Sequence, residues 1–559
     1  MELREYQKRC LFLSLEHYRM GVNRQLAVLA TGLGKTAIAS NLRNHHGFTK
    51  RILFLVHMET LAEQAANAMH RWNPSLRVGI EMAGRFADVE GIFPPDLIVA
   101  SVPTLGRKGS DRIKRFLPED FSAIIQDECH IGIADSFKRV YDHFGLMQPD
   151  ATGPLFLGIT ATPNRSDGKG LRELFDVIVF DMGIQKGIAD GWLCDLRGYR
   201  VNGKAELDKV HTRAGEFAQD ELEKEVNTPK RNAIIVKEWY KVAYGKRTLV
   251  FTVDVQHALD LAEAFKAHGE QAEAVWGEDP ERHDKIRRHK EGQFNVLCNC
   301  NVLAIGYDDP QIQCIISAAP TKSELRYVQQ IGRGTRIAEG KDSCIVIDVV
   351  DNSSKHSLTT VSTLLGLPKD LDLKGEKYSV AKQKLERIAQ EFPQANVQDI
   401  KSLDQLKSIA ENISLFQVHY PPEISQLSEL TWRKSGDGYM LAFNGGAITI
   451  TKDLREEFQI RGRVGNNVAE LSAQNIAGAL NLADKFILDN GGVKAFLSRE
   501  ARWRQSQDPP TDAQKWKCKK LGIAVPPGMT KGQVSAAITA KEIQLAAQQP
   551  KAEEYHGEW

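Results

Sequence analysis

The sequence is poor in everything that marks a secreted, membrane-spanning or metal-stapled chain. Its eight cysteines are scattered at Cys10, Cys129, Cys194, Cys298, Cys300, Cys314, Cys344 and Cys518, and no CxxC pair occurs. That excludes a disulfide framework and a zinc site of ordinary spacing, and it predicts a reduced, cytoplasmic setting. There is no run of about 18 uninterrupted apolar residues, which excludes a helical membrane span. The opening MELREYQKRC is charged at once and lacks the apolar stretch of a signal peptide. Net charge is only +1, so any polyanion-binding surface must be a local patch rather than a global field. Long low-complexity segments and internal repeats are absent. What remains is 559 residues, 42% of them hydrophobic, enough for about three or four domains with sizeable cores.

Against this plain background three strings stand out: ATGLGKT from Ala30 to Thr36, DECH from Asp127 to His130, and QQIGRGTR from Gln329 to Arg336. The first follows QLAVLA (Gln25 to Ala30), a buried-strand signal, and precedes a helix-like AIASNLRNHH. Strand, glycine turn and helix is the context in which backbone N–H groups cradle phosphates. Thr31, Gly32 and Gly34 shape the turn, Lys35 reaches the β- and γ-phosphates, and the Thr36 hydroxyl ligates Mg²⁺. Leu29 stands where the generic pattern has glycine. The second string follows the apolar run FSAII (Phe121 to Ile125), so Asp127 falls at a strand end where a carboxylate can face Mg²⁺. Glu128 is then placed to orient or deprotonate an attacking water. His130 is either an ordinary structural histidine or a coupling residue on the γ-phosphate side. The third string sets Arg333 and Arg336 at i, i+3 on one helix face, as arginine fingers require. A solvated basic helix is the bland alternative, but Gly332 and Gly334 argue against it, since each costs about 1 kcal/mol in a helix. Together the strings predict an ATP site split between two domains.

In this order, the strings resemble the superfamily 2 helicases of the type III restriction, XPB and RadD-like branch, over about residues 1–360. LREYQ (Leu3 to Gln7) resembles the opening motif, whose glutamine, here Gln7, reads adenine. ILFLVHMETLAEQ (Ile52 to Gln64) resembles motif Ia and ASVPTL (Ala100 to Leu105) motif Ib. GITATPNRSDGKGL (Gly158 to Leu171) resembles motif III, LVFTVDVQHALDLAEAF (Leu249 to Phe265) motif IV, and NVLAIGYDDP (Asn301 to Pro310) motif V. The resemblance implies an α/β chain of two tandem RecA-like parallel-sheet lobes, followed by a mixed helical and small β region. It implies ATP and Mg²⁺ as cofactors and nucleic acid, with DNA favoured, as partner. Motifs Ia, Ib, IV and V would grip one strand by its phosphates through His57, Met58, Thr60, Ser101, Thr104 and Thr252. Gly306 and Asp308 would link that track to the nucleotide. The implied activity is ATP-driven unwinding or translocation in DNA repair, recombination, replication or mobile-element biology. An RNA helicase, a motor subunit of a restriction or anti-phage complex, and a non-hydrolysing clamp remain alternatives. No PD-(D/E)xK string follows Asn352, so cleavage would have to come from a partner.

Composition and motif positions suggest five segments. Residues 1–190 form the ATP-binding lobe and 191–230 a polar inter-lobe stretch. Residues 231–355 form the second lobe, with strand signals at Thr248 to Thr252, Ala272 to Trp276, Asn295 to Cys298, Cys314 to Ala318 and Ser343 to Val350. Residues 356–500 are an accessory helical region with a β-meander near 430–453. There Trp432, Arg433 and Lys434 either stack on a base or leave the Trp packed under a hairpin. Residues 501–559 are a basic helical tail. From Lys494 to Lys551 eleven Lys and Arg face four acids, and Lys515, Lys517, Lys519, Lys520 and Lys531 are its candidate phosphate contacts. If they are not, the tail is a docking surface for a protein partner.

Overall fold

The computed structural model describes residues 2–131, 134–147, 153–161, 171–213, 216–303, 307–352, 358–391, 397–411, 422–435, 437–443, 445–453, 456–498, 501 and 506–548. The chain divides into two compact units, one of residues 1–367 with 372–379 and the other of 368–371 with 380–559.

The first unit holds two parallel sheets. The first comprises β1 (Arg24–Leu29), β2 (Arg51–Val56), β3 (Val78–Glu81), β4 (Leu97–Ser101), β5 (Phe121–Asp127), β6 (Leu155–Thr160) and β7 (Val177–Met182), in the order β3-β4-β2-β5-β6-β1-β7. RILFLV, LIVAS and LFLGIT are buried almost throughout, as strands must be when helices cover both faces of a parallel sheet. Because every pairing is parallel, all carboxyl ends share one rim. The phosphate loop after β1, His57 after β2, Ser101 ending β4, Asp127 ending β5 and Thr160 ending β6 therefore meet along it. This is where ligands bind open α/β sheets.

The second sheet runs β12-β13-β11-β14-β15-β8, again parallel. It is built from β8 (Asp195–Glu206), β11 (Thr248–Phe251), β12 (Ala272–Val275), β13 (Val296–Asn299), β14 (Cys314–Ser317) and β15 (Ser343–Asn352), with the short ribbon β9 (Thr212–Arg213) and β10 (Glu216–Phe217) beside it. The stretch that reads as a polar bridge thus begins with an edge strand. Burial along β8 alternates, so its solvent-facing polar residues mask its apolar half. Trp239 and Phe265 pack edge to face at 5.4 Å beneath β11 and β14.

The second unit contains a five-stranded antiparallel sheet, β16 (Arg433–Ser435), β17 (Gly438–Phe443), β18 (Gly446–Lys452), β19 (Phe458–Val464) and β20 (Asn467–Ala473), in sequence order. The helix Ile476–Asp489 covers its inner face, packing Leu480, Ala483 and Ile487 on Leu441, Ile448 and Ile460. Trp432 lies in this core and donates its indole N–H to Asp484 at 2.7 Å, so it is a packing residue and not a stacking platform. Two further helices, Asp512–Leu521 and Lys531–Gln548, end the unit. All eight cysteines are buried and free. Among the described residues no helix is long and apolar enough to cross a membrane.

Candidate nucleotide site between the two lobes

The phosphate loop leaves β1 and enters the helix Lys35–His46. Gly32 and Gly34 adopt left-handed backbone, φ 94° and 74°, which only glycine takes without cost. The loop is held from below by the opening motif. Tyr6 donates its hydroxyl to the Leu33 carbonyl at 2.7 Å, and the Gln7 amide N–H donates to the same oxygen at 3.1 Å. Gln7 Oε1 accepts from the Arg4 backbone N–H at 3.0 Å. One end of the Gln7 amide thus holds the loop and the other caps its own helix. Thr36 lies half-buried in the first turn of the helix.

Lys35 Nζ reaches across to Glu128 Oε1 at 2.8 Å, both side chains mostly buried. Asp127, at the end of β5, accepts the Glu128 backbone N–H at 3.0 Å. Glu128 has φ 47°, a conformation costly for a residue with a side chain and characteristic of functional sites. Burial pushes Asp127 up to about 6, with the neighbouring Glu128 charge adding to it. Burial opposes the charge on Glu128 too, but Lys35 and His130 outweigh it and hold the carboxyl well below its usual range. His130 lies 3.3 Å from Glu128 Oε2, and its Nδ1 is 3.2 Å from the Thr160 hydroxyl. It therefore bridges the acids to the end of β6, where motif III begins.

The second lobe reaches this rim through the helix Glu324–Ile331 and the residues after it. A Cβ on Gly332 would sit 2.4 Å from Thr31 Cβ, and one on Gly32 would sit 3.4 Å from Arg336 Cγ. The arginine-bearing turn thus lies directly on the phosphate loop. Arg333 and Arg336 both donate to the Tyr307 carbonyl, at 2.8 and 3.1 Å, and Arg336 also pairs with Asp308 at 3.2 Å. Burial pushes Arg333 down to about 9, with the Arg336 charge adding to it and Glu128 opposing it. A guanidinium so destabilised gains most when a new anion arrives beside it.

Several residues of the site carry no local signal. The segment after the first lobe threads the cleft: Leu193 packs by Gly32, the Cys194 N–H donates to the Thr335 carbonyl at 2.8 Å, and the Trp192 ring lies 5.0 Å from that of Tyr6. Lys341 donates to the carbonyls of Pro310 and Arg336, at 3.0 and 2.9 Å, and so ties motif V to motif VI. Tyr327 donates to Asp348 at 2.5 Å, which anchors the helix Glu324–Ile331 to β15; that helix ends before Arg333 and Arg336, which stand in the turn beyond it and not on a helix face as the spacing suggests. Only chain crossings bring these groups together.

The expected nucleic-acid contacts divide. Met58 is exposed and His57 half-buried, near Glu128 and His130. The Thr104 hydroxyl accepts the Ala83 N–H at 3.2 Å at the rim. Thr60 lies in the first turn of the helix Glu59–Trp72. Ser101 and Thr252 are both buried, and the Thr252 hydroxyl donates to the carbonyl of Asp254 or of Asn299 at the end of β13. Gly306 and most of the motif III extension lie outside the described residues. In the tail, Lys515 pairs with Asp512 at 3.1 Å, Lys517 with Glu542 at 2.8 Å and Lys531 with Asp508 at 2.5 Å.

Family models match along the chain. The type III restriction enzyme res subunit matches residues 1–165, the helicase conserved C-terminal domain residues 229–338, and the C-terminal domain of mitochondrial helicase Irc3 residues 403–556. A candidate mitochondrial ATP-dependent helicase, irc3 of Schizosaccharomyces pombe, is 30% identical over 528 residues, 90% of this chain and 84% of the relative. IRC3 of Saccharomyces cerevisiae, also named as a candidate ATP-dependent helicase, is 34% identical over 72% of this chain. The match spans 56% of that relative, little more than half its length. A fragment described as an HsdR subunit of a type I restriction enzyme from Vibrio vulnificus has a similar fold, with TM-score 0.49, 21% identity and 67% of each chain covered. The chain belongs to the superfamily 2 helicases of the ResIII type, a group in which the Irc3 helicases are its relatives over most of its length.

Proposed function

We propose that the chain hydrolyses ATP between its two lobes and uses closure of the cleft to move along, or unwind, DNA. The observation that carries the reading is the meeting of Gly332, Arg333 and Arg336 with the phosphate loop, beside Lys35 and Glu128. The residues fit a magnesium nucleotide: two left-handed glycines open a helix N-terminus, and a half-buried Asp127 gains its charge once a cation stands beside it. Thr36 and Asp127 would hold magnesium, which when bound neutralises charge developing on the phosphates. Two protein ligands suffice, since magnesium is usually completed by phosphate oxygens and water.

The Lys35–Glu128 pair sets the order of events. While paired, Lys35 holds Glu128 too acidic to accept a proton from water. When Lys35 turns to the β- and γ-phosphates, Glu128 loses its partner and becomes a competent base. Arg333 and Arg336 then leave the Tyr307 carbonyl for the γ-phosphate side and stabilise the transferring group. His130, on both Glu128 and Thr160, passes the change to motif III.

The track runs along the rim carrying His57, Met58, Thr60 and Thr104, where backbone-phosphate contacts make it indifferent to sequence. DNA is favoured over RNA because the res-subunit model spans the first lobe. We assign residues 1–190 to the first lobe and 231–355, with β8 from the 191–230 segment, to the second. Residues 356–500 are an accessory region, and 501–559 a tail for nucleic acid or a protein partner. The chain acts off the membrane. The cysteine pattern suits the cytoplasm, and an organelle interior would serve the same chemistry. Strand displacement on forked DNA and on an RNA fork of the same sequence tests the reading. ATP-dependent displacement or protein-roadblock clearance on DNA supports it. Activity confined to RNA would overturn the DNA assignment.

A further inference from the structure

The helix Asp512–Leu521 is sorted into two faces. Cys518 is buried and Gln514 donates its amide to the Lys531 carbonyl at 2.8 Å and to the Ser535 hydroxyl at 2.9 Å. That face packs on the following helix. Trp516 lies two residues from each, about 200° round the helix, and is 64% exposed. Lys519 and Lys520, three and four residues on, share its face. Lys520 Nζ stands 5.5 Å from the Trp516 ring centroid. Lys515, Lys517 and Lys531 are engaged with Asp512, Glu542 and Asp508. Among the described residues 512–531 the basic side chains are therefore not equivalent. Lys519 and Lys520 are the two not held in an ion pair, and they stand beside a large, mostly exposed aromatic ring.

We infer that Trp516, flanked by Lys519 and Lys520, is a stacking site for an unpaired base of single-stranded nucleic acid, the lysines taking the adjoining phosphates. Exposed tryptophan has a π-face that any base can use, and the two lysines one turn on supply the charge complementarity such platforms combine. A paired base inside a duplex offers no free face, so the site discriminates single strand from duplex. This rests on the reading that the chain works along nucleic acid, and it names the form of nucleic acid this surface takes.

Full-length wild type, Trp516→Ala, Trp516→Phe and the double variant Lys519→Ala/Lys520→Ala are titrated against a labelled oligothymidylate and a duplex of equal length, at several salt concentrations. ATP hydrolysis without nucleic acid is measured for each as a control on folding. Loss of one stacked base corresponds to roughly 5- to 150-fold in affinity. Trp516→Ala is expected to lose about 10-fold on the single strand, with the duplex affinity and the salt slope unchanged. Trp516→Phe should recover most of that loss. The double lysine variant should lower the log–log salt slope on the single strand by about 1.4, two contacts' worth. Single-strand affinity unchanged in Trp516→Ala overturns the proposal. A loss confined to the lysine variant also overturns it, reducing the face to a purely electrostatic one. Wild type that binds neither strand, with ATP hydrolysis indifferent to both, overturns the nucleic-acid reading beneath it as well. If binding and stimulation persist while only the stacking effect fails, that reading stands without this site.

Discussion

A methyl group at Gly332 has nowhere to go while the cleft is closed. Its carbon would lie 2.4 Å from Thr31 Cβ and 3.0 Å from Cγ2, where ordinary contact begins near 3.4 Å. Closure in Gly332→Ala must therefore stop about 1 Å short, and a misplacement of that size costs on the order of 10²-fold in rate. The backbone itself accepts alanine: φ −59° and ψ −16° are helical, and the substitution removes unfolded-state entropy worth about 0.4–1 kcal/mol. Parting the lobes relieves the clash with Thr31 and leaves only a 3.0 Å approach to the Val328 carbonyl, so the melting temperature should change little while kcat for ATP falls about 100-fold. Steady-state hydrolysis with saturating single-stranded DNA, alongside thermal unfolding, separates the two effects. A variant with kcat within twofold of wild type would refute the argument that turnover needs this contact. A variant that melts much earlier would show that Gly332 is needed by the fold instead.

The other expectations are simpler. Lys35→Ala should abolish hydrolysis and weaken nucleotide binding, while Glu128→Gln should bind nucleotide and fail to turn it over. Fluorescent-nucleotide titration with a turnover assay checks both, and near-normal turnover in either sinks the assignment. Arg333→Ala should lower kcat by about 10³–10⁵ with a smaller change in nucleotide affinity, and Arg333→Lys should not restore it, since one point charge replaces a planar fork that also holds the Tyr307 carbonyl. His289 is buried in the second lobe between Tyr307 and the Asn295 carbonyl, and burial pushes it down to about 4. Its folded value lies below the unfolded one near 6.5, so the unfolded chain binds the extra proton. The stability tied to neutral His289 is complete above about pH 6.5 and is lost as pH falls towards 4, to a limit of roughly 3 kcal/mol. Denaturant midpoints from pH 7 to 4.5 should therefore fall less steeply in His289→Gln than in wild type, and equal slopes would refute this.

The parts of the site legible in the sequence are those written into short contiguous strings. A strand, a glycine turn and GKT announce themselves locally because one loop must do all the cradling, and Asp127 and Arg333 sit in equally compact contexts. Trp192, Lys341 and the Tyr307 carbonyl were not legible, because their roles arise only where separate segments cross. β8 escaped because an edge strand with one solvated face alternates polar residues and reads as a linker. β19 and β20 escaped for the same reason: FQIRGRV and NVAELSA bury only one face against the helix Ile476–Asp489.

The central claim is that ATP turnover belongs to both lobes together and is driven by nucleic acid. It is tested most directly by steady-state hydrolysis of purified full-length protein with no nucleic acid, single-stranded DNA, duplex DNA and RNA, beside a chain ending at residue 190. The account predicts turnover stimulated by DNA in the full chain and none in the truncated one, which lacks Arg333 and Arg336. Equal turnover by the two chains, or turnover that no nucleic acid alters, would contradict it.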